Sequence, residues 1–311
     1  MIDLHVHTEA SDGTDNCISI LKKAQNRNLK YLSITDHDNC HMYNNLKLVN
    51  ISDFYTGTII PGVELKTLMN GVPIELLGYG VNPDIINEGV KQLYAGESTK
   101  DYLKMERLYE KCREIGVILR ENVLEEYEAH AHLYKYATSY LHEEITRHIS
   151  NKQYIWDEAS WKDATTFFRR HMSNPESIFY IENRDLIPSC DAVYHLIRKA
   201  GGLVFVPHIF IYGKQSMPIL KQLVENYDID GLECFYSHFS EEHTKYLLDF
   251  CKRHHLYVSG GSDYHGMNKP GIELGVGKGN LRISSHFIED WVEQVVTLQE
   301  DDAETEEIKI G

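Results

Sequence analysis

The sequence predicts an α/β chain built around a mainly parallel sheet, and three observations carry that expectation. Short apolar, β-rich runs recur at Ile2 to Val6, Tyr31 to Ile34, Ile59 to Leu65, Leu203 to Val206, Gly231 to Phe235 and Tyr257 to Ser259, as buried strands do. Stretches of helical spacing lie between many of them, at Cys17 to Asn28, Cys190 to Lys199, Met217 to Asn226 and Glu241 to His255. Strand followed by helix, repeated, implies parallel pairing. Several runs also end directly in chemically capable residues: His5 and His7, Asp36 and His37, Glu64, His208, and Asp263 with His265. Closed α/β barrels carry their chemistry at the carboxyl ends of their strands, so this is where a barrel would place a site.

Along the chain, Val72 to Val81 follows Asn70-Gly71 and reads as the second arm of a hairpin that returns close to Glu64. Residues 87–175 interrupt the alternation. They are long, charged and aromatic, with helical periodicity and few Gly or Pro, and predict a helical cap inserted into one catalytic domain formed by 1–86 and 176–298. The Tyr- and His-rich part, Glu125 to His148, reads either as a cover for substrate or as a solvated helical face, the second being the commoner arrangement. Residues 299–311 read as a frayed acidic tail.

With 311 residues and 42% hydrophobic content, the chain is long enough to bury a full core. No run of about 18 apolar residues occurs, and MIDLHVHTEA has neither a basic nor an apolar leader region, so a soluble cytoplasmic protein without membrane contact is expected. The six cysteines form no CxxC pair, which argues against a cysteine zinc site and for reduced thiols packed as small apolar groups. A formal charge of −16 leaves no general basic face, so stable DNA binding is not expected. Bound divalent ions would invert the local field and let a small polyanion approach.

His5-x-His7 puts two imidazoles at the same parity of a strand, within reach of one metal, although an isolated HxH is more often ordinary packing. Asp12, in Ser11-Asp12-Gly13, reads equally well as a helix cap near Thr14 or Asp15. In Asp36-His37-Asp38 two carboxylates flank a histidine at a strand end, which is costly without a cation. His37 is the expected ligand there, with Asp36 or Asp38 orienting it or another imidazole. Glu64 and His208 are single polar residues delivered by apolar runs. In Gly261-Ser262-Asp263-Tyr264-His265-Gly266 the residues Asp263 and His265 again share parity.

The ordered series HxH, SDG, TDHD, GVE, PH and GSDYHG, continued by Asn268 to Gly275, resembles the PHP (polymerase and histidinol phosphatase) family, especially its small stand-alone phosphoesterases. That resemblance implies a distorted (β/α)7 TIM-like barrel holding about two or three divalent ions, manganese, zinc or iron, bridged by carboxylate and hydroxide. It implies one metal on His5, His7, Glu64 and Asp263, a second sharing Glu64 and adding His208, and a third on Asp12, His37 and His265. Where such relatives usually offer a histidine after the glutamate, this sequence has Glu75, either a harder ligand favouring manganese or iron or a solvent-facing side chain.

The implied activity is hydrolysis of a phosphomonoester (a nucleotide, a nucleoside 3′,5′-bisphosphate or a 5′-phosphorylated oligonucleotide) by a metal-bridged hydroxide. The partner is then a small phosphorylated substrate or short RNA. Asp263, His208 and His265 are the expected catalytic residues, either histidine being a candidate proton donor to the leaving group. Arg184, Lys214 and Lys269 are candidates for gripping a distal phosphate, against surface solvation as the ordinary role of each. Histidinol phosphate as substrate, a non-catalytic metal-binding module, and hydrolysis of a non-phosphate bond are the alternatives.

Overall fold

The computed structural model describes residues 1–93, 97–130 and 136–295. They fall into two compact units, Met1–Leu93 with Pro188–Gly311, and Tyr94–Ile187. The acidic tail expected at 299–311, and residues 131–135 of the Glu125 to His148 stretch, lie outside the described residues.

Among its described residues the first unit holds eight strands: β1 (Ile2–Val6), β2 (Tyr31–Ile34), β3 (Thr58–Ile59), β4 (Gly62–Met69), β5 (Val72–Tyr79), β6 (Leu203–Val206), β7 (Gly231–Tyr236) and β8 (Tyr257–Gly261). The run expected from Ile59 to Leu65 divides into β3 and β4 around Pro61, which has no N–H to give a ladder. The expected closed barrel of parallel strands is not what forms among the described residues. Strands β1-β2-β3 make a parallel sheet, and β4-β5-β6-β7-β8 make a second, mixed one.

The reason lies in the hairpin. Asn70 and Gly71 take φ of 51° and 79°, the two-residue turn that reverses a strand at once, so β5 runs antiparallel to β4 and then to β6. Only β6-β7 and β7-β8 are parallel in that sheet. The sheets meet at strand ends through the isolated bridges Val6 with Tyr264 and His37 with Glu64. His7 N–H donates to Tyr264 O and Asp263 N–H to His5 O, each at 2.8 Å. These junctions set the chemically capable residues side by side.

The helices of this unit follow their sequence signals. Cys17–Asn26 buries Cys17, Ile20, Leu21 and Ala24 on one face, Ser189 caps Cys190–Lys199, and Ser240 with His243 forms a capping box for Glu241–His254. The core gathers Ile2, Leu4, Leu77, Tyr79, Phe205 and Trp291, the last from the helical turns at 289–295. All six cysteines are buried free thiols. No helix among the described residues is long and apolar enough to cross a membrane.

The second unit is helical, with Glu97–Ile115, Val123–His130, Ala137–Arg147 and shorter pieces packed around Leu108, Leu141, Ile145, Phe167 and Phe179. His142 is buried there, its Nε2–H donating to Ser160 O at 2.8 Å. Burial lowers its pKa below the ordinary 6.5. The unfolded chain therefore binds this proton more readily, and the stabilising contribution, complete above 6.5, is lost as pH falls through the lowered value. A thermal melt taken above and below this window should show a smaller acid-induced fall for His142→Gln than for the wild type. Parallel curves would remove His142 from the acid response.

Candidate metal centre

Most candidate residues are delivered by a strand end or the turn beyond it, whereas Glu64 and Glu75 lie within the hairpin strands β4 and β5. His5 and His7 leave the same side of β1, both fully buried. Asp12 sits in the following loop, which packs so closely that a Cβ on Gly13 would lie 2.6 Å from His7 O. Asn16, whose side chain accepts from Ser19 N–H, caps the next helix, so capping is not the work of Asp12.

The expectation that Asp36 orients an imidazole is corrected. Its carboxylate accepts from Thr8 N–H at 2.7 Å, from the Thr8 hydroxyl at 2.6 Å and from the Ser11 hydroxyl, and so braces the loop that carries Asp12. Asp38, at φ 52°, accepts from Lys66 N–H at 2.9 Å. On the hairpin, Glu64 opposes Leu77 and Lys66 opposes Glu75, so both glutamates occupy one face. Glu75 does not face solvent. Its Oε1 lies 3.9 Å from His37 Nδ1 and its Oε2 3.7 Å from His208 Nε2.

Glu64 is the hub. Its Oε2 lies 3.2 Å from His5 Nε2, 3.3 Å from His7 Nε2 and 3.2 Å from His37 Nδ1, while Oε1 is 2.8 Å from His208 Nε2. Asp263 Oδ1 approaches His5, His7 and His265 at 3.7, 3.4 and 3.3 Å. Asp12 Oδ1 lies 3.0 Å from His265 Nε2 and 3.8 Å from both His7 Nδ1 and His37 Nε2. Among the described residues, four sets of donor atoms are close enough to share an ion: His7, Asp12, His37 and His265; His5, Glu64 and His208; His5, His7 and Asp263; and His37, Glu64 and Glu75. His208 and Asp263 hold positive φ of 24° and 57°, local strain of the kind that clusters at functional sites.

Burial would push the His5 and His7 imidazoles down, but the carboxylates around them prevail, and His7 is raised to about 9. Burial would likewise raise Glu64, Asp263 and Asp12, yet the imidazoles hold all three below the usual carboxylate range.

The residues present fit a bound cation. His5 Nε2, both nitrogens of His7, His265 Nε2 and Asp12 Oδ1 are buried with no hydrogen-bond partner although carboxylate oxygens and imidazole nitrogens face one another. Buried polar atoms rarely stay unmet, and ions held in these sets would meet them, each imidazole giving one nitrogen. Hydrogen bonds from the outer nitrogens turn two inner ones inward: His5 Nδ1 meets Glu233 Oε1 at 2.8 Å and His265 Nδ1 meets Asp263 O at 2.9 Å. A nitrogen and oxygen donor set without sulfur suits manganese, iron or zinc.

Of the three candidate phosphate grips, Lys269 reaches the centre, its Nζ 2.6 Å from Asp263 Oδ2. Lys214 is exposed in the turn Ile209–Gln215 after β6. Arg184 belongs to the Tyr94–Ile187 unit, where its Nε donates to Glu182 at 2.9 Å.

Sequence reading missed Glu233 and Tyr236, whose hydroxyl donates to Asp263 Oδ2 at 3.0 Å. A carboxylate inside the apolar strand GLECFY was the available signal for Glu233. Tyr236 gave none, because the pairing irregularity between Glu233 and Phe235 changes the alternation that would be read from the sequence.

Residues 3–134 match the family model described as the PHP domain, a span that includes His5, His7, Asp12, His37, Glu64 and Glu75. That segment, less than half of the chain, is similar to the PHP domain and carries six of the clustered donor residues. Among particular relatives, the Eggerthella lenta protein named phosphoribosyl 1,2-cyclic phosphate 1,2-diphosphodiesterase is 26% identical over 274 residues, covering 85% of this chain and 94% of the relative. Two solved structures share the fold at 22% identity. One is an amidohydrolase from Chromobacterium violaceum with bound sulfate and no metal, with TM-score 0.63 and coverage of 88% of this chain and 89% of that one. The other, an inferred metal-dependent phosphoesterase from Bifidobacterium adolescentis, gives 0.60, with 88% and 91% covered.

Proposed function

We propose that the protein hydrolyses a small phosphate ester, a nucleotide, nucleoside 3′,5′-bisphosphate or 5′-phosphorylated oligonucleotide, at a centre of about two or three divalent cations. The observation that carries this reading is the convergence of five imidazoles and four carboxylates with buried, unpartnered donor atoms between them. Cations bound there would offset the charge of the phosphate and acidify a water molecule placed against it.

His5, His7, Asp12, His37, Glu64, Glu75, His208, Asp263 and His265 are proposed as the ligands. Asp263, His208 and His265 would serve catalysis by holding cations rather than by passing protons. His265 has one nitrogen on a backbone carbonyl and the other facing Asp12, and His208 Nε2 faces Glu64. Lys269, about one third exposed beside Asp263, is placed to hold a phosphate oxygen.

The Eggerthella lenta relative's name favours one further substrate, a cyclic phosphodiester of a phosphorylated sugar. The test is a panel of phosphomonoesters, nucleoside bisphosphates, 5′-phosphorylated oligonucleotides, cyclic sugar phosphates and histidinol phosphate, assayed with added manganese. Turnover of none of them, with metal bound, would overturn the reading.

Glu75→His offers a softer nitrogen donor in the same place, and zinc should gain on manganese by about tenfold in competitive loading. An unchanged metal profile would put Glu75 outside the coordination set.

A further inference from the structure

Glu233 belongs to none of the four donor sets, yet it is a fully buried carboxylate at the centre of the unit. Burying such a charge is costly unless each oxygen is met. Here the two oxygens serve two different elements: Oε1 receives His5 Nδ1 of β1 at 2.8 Å, and Oε2 receives the backbone N–H of His208, just past β6, at 2.7 Å.

Its orientation comes from an irregularity in the sheet. Glu233 pairs with Ser259, but the next partners are Phe235 with Gly260 and Tyr236 with Gly261, leaving one extra residue in β7. Strict alternation would send residues 233 and 236 to opposite faces. With the bulge, Glu233 reaches His5 while Tyr236 reaches Asp263, and Phe235 packs on Phe287.

We infer that Glu233 is a positioning residue that sets two ligands from separate strands at once. Accepting from His5 Nδ1 fixes the tautomer whose Nε2 faces Glu64 and Asp263. Accepting from the His208 N–H holds that residue at φ 24°, a conformation side chains rarely adopt, and the ring then lands on Glu64 Oε1. One carboxylate thereby ties the donor set containing Asp263 to the set containing His208.

The inference rests on the proposed metal centre, and the experiment separates the two. In the full-length chain, Glu233→Gln keeps the shape but can offer only one oxygen, its amide nitrogen being a donor. Manganese titrated into the metal-free protein should bind about 10- to 100-fold more weakly in E233Q, with far-UV circular dichroism unchanged. Glu233→Asp, which keeps both acceptors on a shorter arm, should fall between E233Q and the wild type. A merely structural glutamate would shift the melting temperature and leave the manganese dissociation constant within about threefold of wild type, and that result overturns the inference. If E233Q does not fold, E233D is judged by the same threshold. Failure of the wild type itself to bind manganese would overturn the metal-centre reading and this inference with it.

Discussion

Glu64→Gln is expected to lower hydrolysis of an aryl phosphate by about 10³-fold or more, since a metal centre supplies several kcal/mol and each 1.36 kcal/mol is a factor of about ten. Glu64 is singled out because both of its oxygens are committed, Oε2 to His5, His7 and His37 and Oε1 to His208. Glutamine retains one acceptor and presents an N–H2 group to whatever faces the other, so it cannot bridge. Metal analysis should show at least one ion fewer per chain than in the wild type. A variant that loads and turns over like the wild type would remove Glu64 from the coordination set.

The largest effect on stability is expected from Trp291→Ala. Trp291 is fully buried, stacks on Tyr79 with ring centroids 5.5 Å apart, meets Phe205 at 5.0 Å and donates from Nε1 to Val258 O at 3.0 Å. The helical turns bearing it approach the hairpin so closely that a Cβ on Gly80 would lie 2.5 Å from Val295. Truncation leaves a cavity among rings that have little room to collapse and strands a carbonyl, at a cost of about 3–5 kcal/mol. Trp291→Phe keeps most of the ring and should lose roughly 1–2 kcal/mol. Denaturant unfolding of the three proteins measures this, and a loss below about 1 kcal/mol for the alanine variant would mean that the site repacks. Because the chain has two compact units, the transition should be followed by a probe in the first.

Much of the site was legible in advance because its signals are local. Apolar runs of strand length leading to His5, His7, His208 and Asp263 mark where a strand gives way to chemistry, β4 instead runs on past Glu64 to Met69, and Asn70-Gly71 announces the hairpin that brings Glu75 to Glu64's face. Asp12 was ambiguous for an equally local reason. A Ser-Asp-Gly turn caps helices as readily as it holds metals, and the bond from Ser19 to Asn16 was needed to free it.

Sequence periodicity thus settled which side chains are polar at the ends of buried strands, since parity along a strand is a property of neighbours in the chain. It could not settle the open, two-sheet arrangement in place of a closed barrel, the inward turn of Glu233 and Tyr236, or the bracing role of Asp36. Those follow from strand partners distant in sequence, from a bulge in β7 and from left-handed backbone at His208 and Asp263, which are stable only when the surrounding packing enforces them.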